Sequence, residues 1–600
     1  MARGIRAWAV GIGAALGAVL GMALAGSSVG VQPVVSAKAF DQSLDDSPLP
    51  SLRSPDLSTC DVDVSDFGAV GDGVTDDTRA IQAALWAGQD VSIRRPGTYV
   101  ISATLVREAG TSNALANAAL VIPGGRRLAM ARGVTLRLAS GSHCYMIRNA
   151  GWATGDSNIV IEGGAIDANQ SGQIENLDFE PYWFGHSVLL HRVNGVTVRD
   201  MYSTNPRFYA YLFSGCNDVL VERIQFLHDR LNSDGIHVNG PSRGLVIRDL
   251  WGRTWDNMVG LIAAEVDYFR GLSDLTLGAG DIRDVLVERV TTFAGKEPVR
   301  LAGPEWTTLD NITIRAVTGE VTDGMGIALM DDEVGRVRGA VMSRILIEGV
   351  AVSVRPNYAA VGISASGLQD LTIRNVRVLR PDNLAVYIDA KPGSFVDLPL
   401  LEVEGLQGWW VERPVVKVGG SAHPTRVRRL VGRDWGVRMG PGGMLIDQEG
   451  VIDEVDLANV SAMGGLAMFK RSGLSDGVVR TTDLRLGGGC GGFSMMSPAT
   501  IELWNARAGG PSTRVLSAGA PVRVVGAGMV YGPVIPADPV HVLAGGAVGV
   551  RHPQFRMRGP LFTLGPTEGD TFFNTEGSAP PWNALGVGLV EYVGGVWVRR

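Results

Sequence analysis

One pattern recurs from residue 158 onward: an apolar residue, any residue, a second apolar residue, two others, then a third apolar residue. It is read at Val196, Val198 and Met201, at Val219, Val221 and Ile224, at Leu245, Ile247 and Leu250, and at Val285, Val287 and Val290. It returns at Ile312, Ile345, Leu371 and Leu401, with starts 23 residues apart between Val196 and Val219 and 40 apart between Leu245 and Val285. Alternation buries every second side chain of a strand, and the apolar residue after a two-residue corner opens the next face. A sandwich of antiparallel hairpins also alternates, but it does not repeat near-identical strands at so regular a spacing. The pattern therefore implies a solenoid whose shorter intervals are single coils and whose longer ones carry insertions. The 80 glycines, spread without a collagen-like period, suit the many tight corners such a chain needs.

The segment 64–86 supplies the start of the solenoid. Asp76, Asp77 and Thr78 are placed to accept the orphan N–H groups of a first helical turn, and Ile81 and Leu85 then share one helix face. Such a helix plugs an end whose exposed strand edges would otherwise recruit other chains. Here the sequence resembles the pectate-lyase-like superfamily. The resemblance implies an all-β, single-stranded right-handed parallel β-helix with a short N-terminal capping helix.

Outside the repeat the composition changes. Arg3 and Arg6 precede an uncharged, alanine- and glycine-rich run from Ala7 to Ala25, the pattern of a secretory signal peptide, with small residues suited to cleavage at 23–25 and 35–37. An uncleaved membrane anchor is the other reading of that run. The expected organisation is signal peptide 1–37, linker 38–58, parallel β-helix 59–535 and a small C-terminal module or cap 536–600, the proline-dense stretch Tyr531 to Val540 closing the helix. Cys144 and Cys216 read as buried small hydrophobes rather than a disulfide. A net charge of −7 with 19% charged residues gives no basic field for nucleic acid.

Chemistry is expected where acidic side chains escape the apolar repeat. Asn232-Ser233-Asp234-Gly235 opens one strand and Trp255-Asp256-Asn257 opens another about one coil later. Stacked coils lie roughly 4.8 Å apart, so Asp234 and Asp256 are expected side by side in one groove. Paired carboxylates are what glycosidic hydrolysis needs, one to protonate the leaving oxygen and one to activate water. Asx residues beside glycine also build turns, and only the spacing of the pair lifts the functional reading above that one.

These motifs resemble glycoside hydrolase family 28, the polygalacturonases and their relatives. Gly163 to Gln170 is similar to the family's Gly-x-Ile-Asp-Gly, Ser203 to Pro206 to its Asn-Ser-Pro step, and Asn232 to Gly235 to its Asn-Thr-Asp-Gly. The resemblance implies Asp256 as general acid, Asp234 as a holder of the attacking water, and Arg300 as a grip on a substrate carboxylate. Three departures stand out: Asn257 replaces a family carboxylate, Ala302 replaces the family lysine, and no Gly-His-Gly loop follows. Asp267 is the candidate for the missing base. His237, Asn257 and Trp255 are candidate substrate contacts, and Asp331-Asp332-Glu333 reads as a solvated acidic turn.

The expected function is a secreted glycoside hydrolase acting on a polysaccharide without metal or cofactor, as a monomer or homotrimer with no stable membrane association after processing. Two other classes stay open. A calcium-dependent lyase would use Asp234, Asp256 and Asn257 as oxygen ligands. A non-catalytic, tailspike-like β-helix would hold a glycan on aromatics such as Trp255, Tyr182, Trp183 and Trp306.

Overall fold

The computed structural model describes residues 49–103, 118–173, 186–264, 279–331, 338–419 and 423–472, then shorter stretches to 599. Residues 1–37 and most of the linker, Asp267, Tyr182, Trp183, Asp332 and Glu333 lie outside them. The chain is a parallel β-helix: among the described residues, 22 strands align in one sheet and 16 in a second. Each strand pairs in parallel with its equivalent one coil on, as Val193–Thr204 does with Asn217–Leu227 and that strand with Ser242–Arg253.

The apolar repeat becomes three inward columns. Val196, Val219, Leu245, Val285, Ile312 and Ile345 stack in register, and the columns of Val198 and of Met201 run beside them. These side chains are buried in one continuous core. The second residue of each two-residue corner takes the left-handed conformation: Asp200 (φ 59°), Arg223 (φ 55°), Asp249 (φ 58°), Arg289 (φ 53°) and Ala316 (φ 56°). That single left-handed residue turns the long strand and aims the third apolar side chain inward.

Just before this corner lies a ladder that apolar periodicity does not reveal. Glu162, Arg199, Glu222, Arg248, Glu288, Arg315, Glu348, Arg374, Glu404 and Arg433 occupy equivalent positions on successive coils, alternating in sign. Arg199 meets Glu162 at 2.6 Å, Arg248 meets Glu222 at 2.7 Å, and Arg315 meets Glu288 at 2.7 Å. Burial works against the charge of Glu222, but the Arg223 and Arg248 guanidiniums hold its carboxyl below the usual range. A slip by one coil would set like charges face to face, so the ladder favours one register.

The helix at the open end spans Thr78–Ala87 and buries Ile81 and Leu85. Its capping departs from expectation, because the Asp77 carboxylate reaches back to the Val70 and Gly71 N–H groups at 2.7 and 3.0 Å and makes no cap bond. Asp76 accepts the Thr78 N–H at 3.0 Å instead. Parallel pairing continues beyond the proline-dense stretch to Val540–Leu543, and Thr571–Asn574, Gly588–Val593 and Val596–Arg599 form an antiparallel sheet. All four cysteines are free, with Cys144 and Cys216 buried. Asp331 corrects the solvated-turn reading: it is buried and accepts bonds from the Ser366 N–H and hydroxyl at 2.7 and 2.9 Å, satisfied where the sequence pattern showed only charge.

Candidate functional site

Three successive coils of the shorter sheet start on one edge, at Asp234, Asn257 and Glu297. The strands Ile236–Asn239, Val259–Ile262 and Val299–Gly303 alternate, so Ile236, Val259 and Val299 point into the core while His237, Gly260 and Arg300 form the next outward row.

Asp234 is the centre of this edge. Its Oδ2 lies 2.6 Å from Nδ1 of His237, and its Oδ1 accepts the Asn257 backbone N–H at 3.2 Å. The Asn257 side-chain amide lies 3.5 Å from the same oxygen. Both Asp234 and His237 are 1% exposed, and the His237 ring lies flat on Tyr209 with centroids 3.9 Å apart. The stack continues through His186, 4.9 Å from Tyr209. A carboxylate bonded to Nδ1 fixes the tautomer and orientation of the imidazole. At Gly260 a Cβ would stand 3.3 Å from both Asp234 Oδ2 and His237 Nδ1, so the absence of a side chain keeps the row open between His237 and Arg300.

The expected pairing of Asp234 with Asp256 is corrected by register. Asn257 aligns with Asp234, and Asp256 sits one residue earlier, beside Ser233 on one coil and Lys296 on the next. Lys296 Nζ lies 3.2 Å from Asp256 Oδ1. Burial works against the Lys296 charge, yet Asp256 and Glu297 hold its pKa above the ordinary value. Asp256 is 8% exposed, and Trp255 beside it is 40% exposed at the rim. Arg300 is mostly buried, at 9% exposed. Asp267 lies outside the described residues.

Sequence reasoning missed Lys296, Tyr209 and Gly260. The family lysine was sought at Ala302, two residues after Arg300, whereas the ammonium comes from four residues before it; counting coil register through Pro298 would have found it. Among the described residues no three His, Cys, Asp or Glu side chains gather as metal ligands. The edge thus brings together three carboxylates, Asp234, Asp256 and Glu297, with an imidazole and two cations, a set able to move protons beside a bound anion.

Residues 62–120 match the model of a family described as "Rhamnogalacturonase A/epimerase, pectate lyase-like", so the opening of the solenoid is pectate-lyase-like. No curated protein matches the chain. Among solved structures, it is similar to a family 28 exopolygalacturonase of Yersinia enterocolitica, at 14% identity over 66% of this chain and 78% of that one, with a TM-score of 0.41. It is likewise similar to a polygalacturonase from Erwinia carotovora, at 14% identity over 70% and 99% of the two chains, with a TM-score of 0.38. PfbA, a surface adhesin of Streptococcus pneumoniae, matches at 14% identity over 67% and 90%, with a TM-score of 0.36.

Proposed function

We propose that the protein is a secreted glycoside hydrolase of polygalacturonase type, cutting glycosidic bonds in an acidic polysaccharide. The observation that carries the reading is the convergence of Asp234, Asp256, Lys296 and Arg300 from three adjacent coils on one edge. Asp256 gives the proton to the leaving oxygen. Asp234, buried and bonded to His237, serves the water side, where the imidazole takes the proton that water loses. Lys296 and Arg300 receive the sugar carboxylate, and an anionic ring that draws Lys296 away lets Asp256 take up from solvent the proton it then gives to the leaving oxygen.

One coil and one residue separate Asp234 from Asp256, roughly 6 Å between backbone positions. The carboxyl-to-carboxyl distance, rather than this backbone spacing, sets the stereochemical outcome, and proton NMR of the released anomer reads it directly.

His237 in one row with Arg300, two coils apart across Gly260, favours a second reading, proton abstraction beside a uronate carboxylate by a lyase. Incubation with polygalacturonate, alginate and neutral glucans separates the readings. New reducing ends without ultraviolet-absorbing products are expected; reducing ends with unsaturation would establish the lyase, and binding without cleavage would remove the enzyme.

A further inference from the structure

Trp409 and Trp410 stand on consecutive positions of Gln407–Val411, 71% and 44% exposed, although alternation should turn one of them inward. A register shift between Trp409 and Val411 is the cause: two residues on this strand oppose one on Thr425–Met439. Trp410 takes the left-handed conformation, φ 58°, and Val411 returns to full burial. A bulky aromatic residue there is strained, and bulges are used to re-aim side chains. The bulge therefore holds two indoles outside, at a backbone cost the apolar repeat does not require.

Their surroundings are polar and basic. The Arg438 guanidinium lies 4.7 Å from the Trp409 ring and 5.8 Å from Trp410. The Trp410 indole N–H donates to Glu412 at 3.2 Å, which fixes its ring. Gln407, Gly436 and Ser461 form the neighbouring outward row, and a Cβ at Gly436 would meet nothing, so the floor beside Trp409 is open and polar. Arg485 follows Ser461 in that row. Followed back through Arg377, Ala351, Thr318 and Thr291, the same register position is held by Trp251, four residues before Trp255, with Ala351 and Trp251 themselves buried. Five coil steps separate the two places, roughly 24 Å along the solenoid.

We propose that Trp409, Trp410 and Arg438 form a second glycan-binding platform that holds the chain of an acidic polysaccharide several sugars away from the Asp234 edge. An indole face accepts the apolar face of a pyranose ring, Arg438 and Arg485 offer donors to its carboxylate, and Gln407 and Ser461 reach its hydroxyls. Charge selects this occupant over a second copy of the protein, since Arg438 and Arg485 outnumber the Glu412 carboxylate, whose oxygen the Trp410 indole N–H already occupies.

The acidic nature of the glycan rests on the functional reading above, so the test separates the two. Full-length protein is run in native gels containing polygalacturonate, alginate or neutral dextran, with Trp409→Ala and Trp410→Gly as variants. Trp410→Gly relieves the left-handed strain and so keeps the fold. Wild type should be retarded by a polyanion and not by dextran, and each variant should bind on the order of tenfold more weakly with no fall in melting temperature. Retardation without cleavage would end the hydrolase reading and leave the platform standing. Unchanged retardation of both variants, retardation by neither polyanion, or a fall in molar mass on light scattering would overturn the platform, the last by assigning the indoles to a contact between copies.

Discussion

Asp234 has two partners that act differently on it, and this makes single substitutions informative. Asp256→Asn removes the proton donor while keeping the shape beside Lys296, so turnover on a cleaved polysaccharide should fall on the order of a hundredfold or more with binding retained. Asp234→Asn loses the anion that orients His237 and should be similarly impaired. Asn257→Asp, which restores the family's second carboxylate, should also lose activity, because the side chain 3.5 Å from Asp234 would become a like charge. Steady-state kinetics on reducing-end release checks all three; full activity in Asp256→Asn would sink the acid assignment.

At the scale of the strand, inward columns and outward ladders hold different shares of stability. Ile247→Ala opens a cavity in a fully buried column and should cost about 2–5 kcal/mol. Glu222→Gln, which leaves Arg223 and Arg248 without their shared anion, should cost about 1–3 kcal/mol. The coils also dictate an acid response. Burial pushes the His228 imidazole down to about 3 and that of His191 to about 4, both below the ordinary 6.5. The unfolded chain thus takes up protons first, and stability present above pH 6.5 declines as the pH falls toward those values. Glu222, held below its ordinary 4.5, and Asp310, held at about 2 by the Arg344 guanidinium, add to the loss at lower pH. Urea midpoints measured across pH should show this descent, and His228→Gln should flatten it between pH 6.5 and 4.5.

For the whole molecule, the N-terminal composition predicts export. Protein recovered outside the cytoplasm should be shorter by roughly 25–37 residues, and an intact N-terminus in a membrane pellet would refute this. The coil pattern was legible in sequence because burial in a parallel solenoid is local: Val196, Val198 and Met201 each turn inward by strand alternation and one corner, whatever lies elsewhere. The opening helix was legible for the same reason. Which residues meet at the start of the shorter strands was not, since the lengths of the turns before them set register there and the repeat does not encode them. Tertiary structure alone therefore decided that Asn257 rather than Asp256 meets Asp234, that Lys296 supplies the nearby ammonium, and that a bulge turns both Trp409 and Trp410 to solvent. Each is a relation between coils, joining residues 23 to 40 positions apart in the chain.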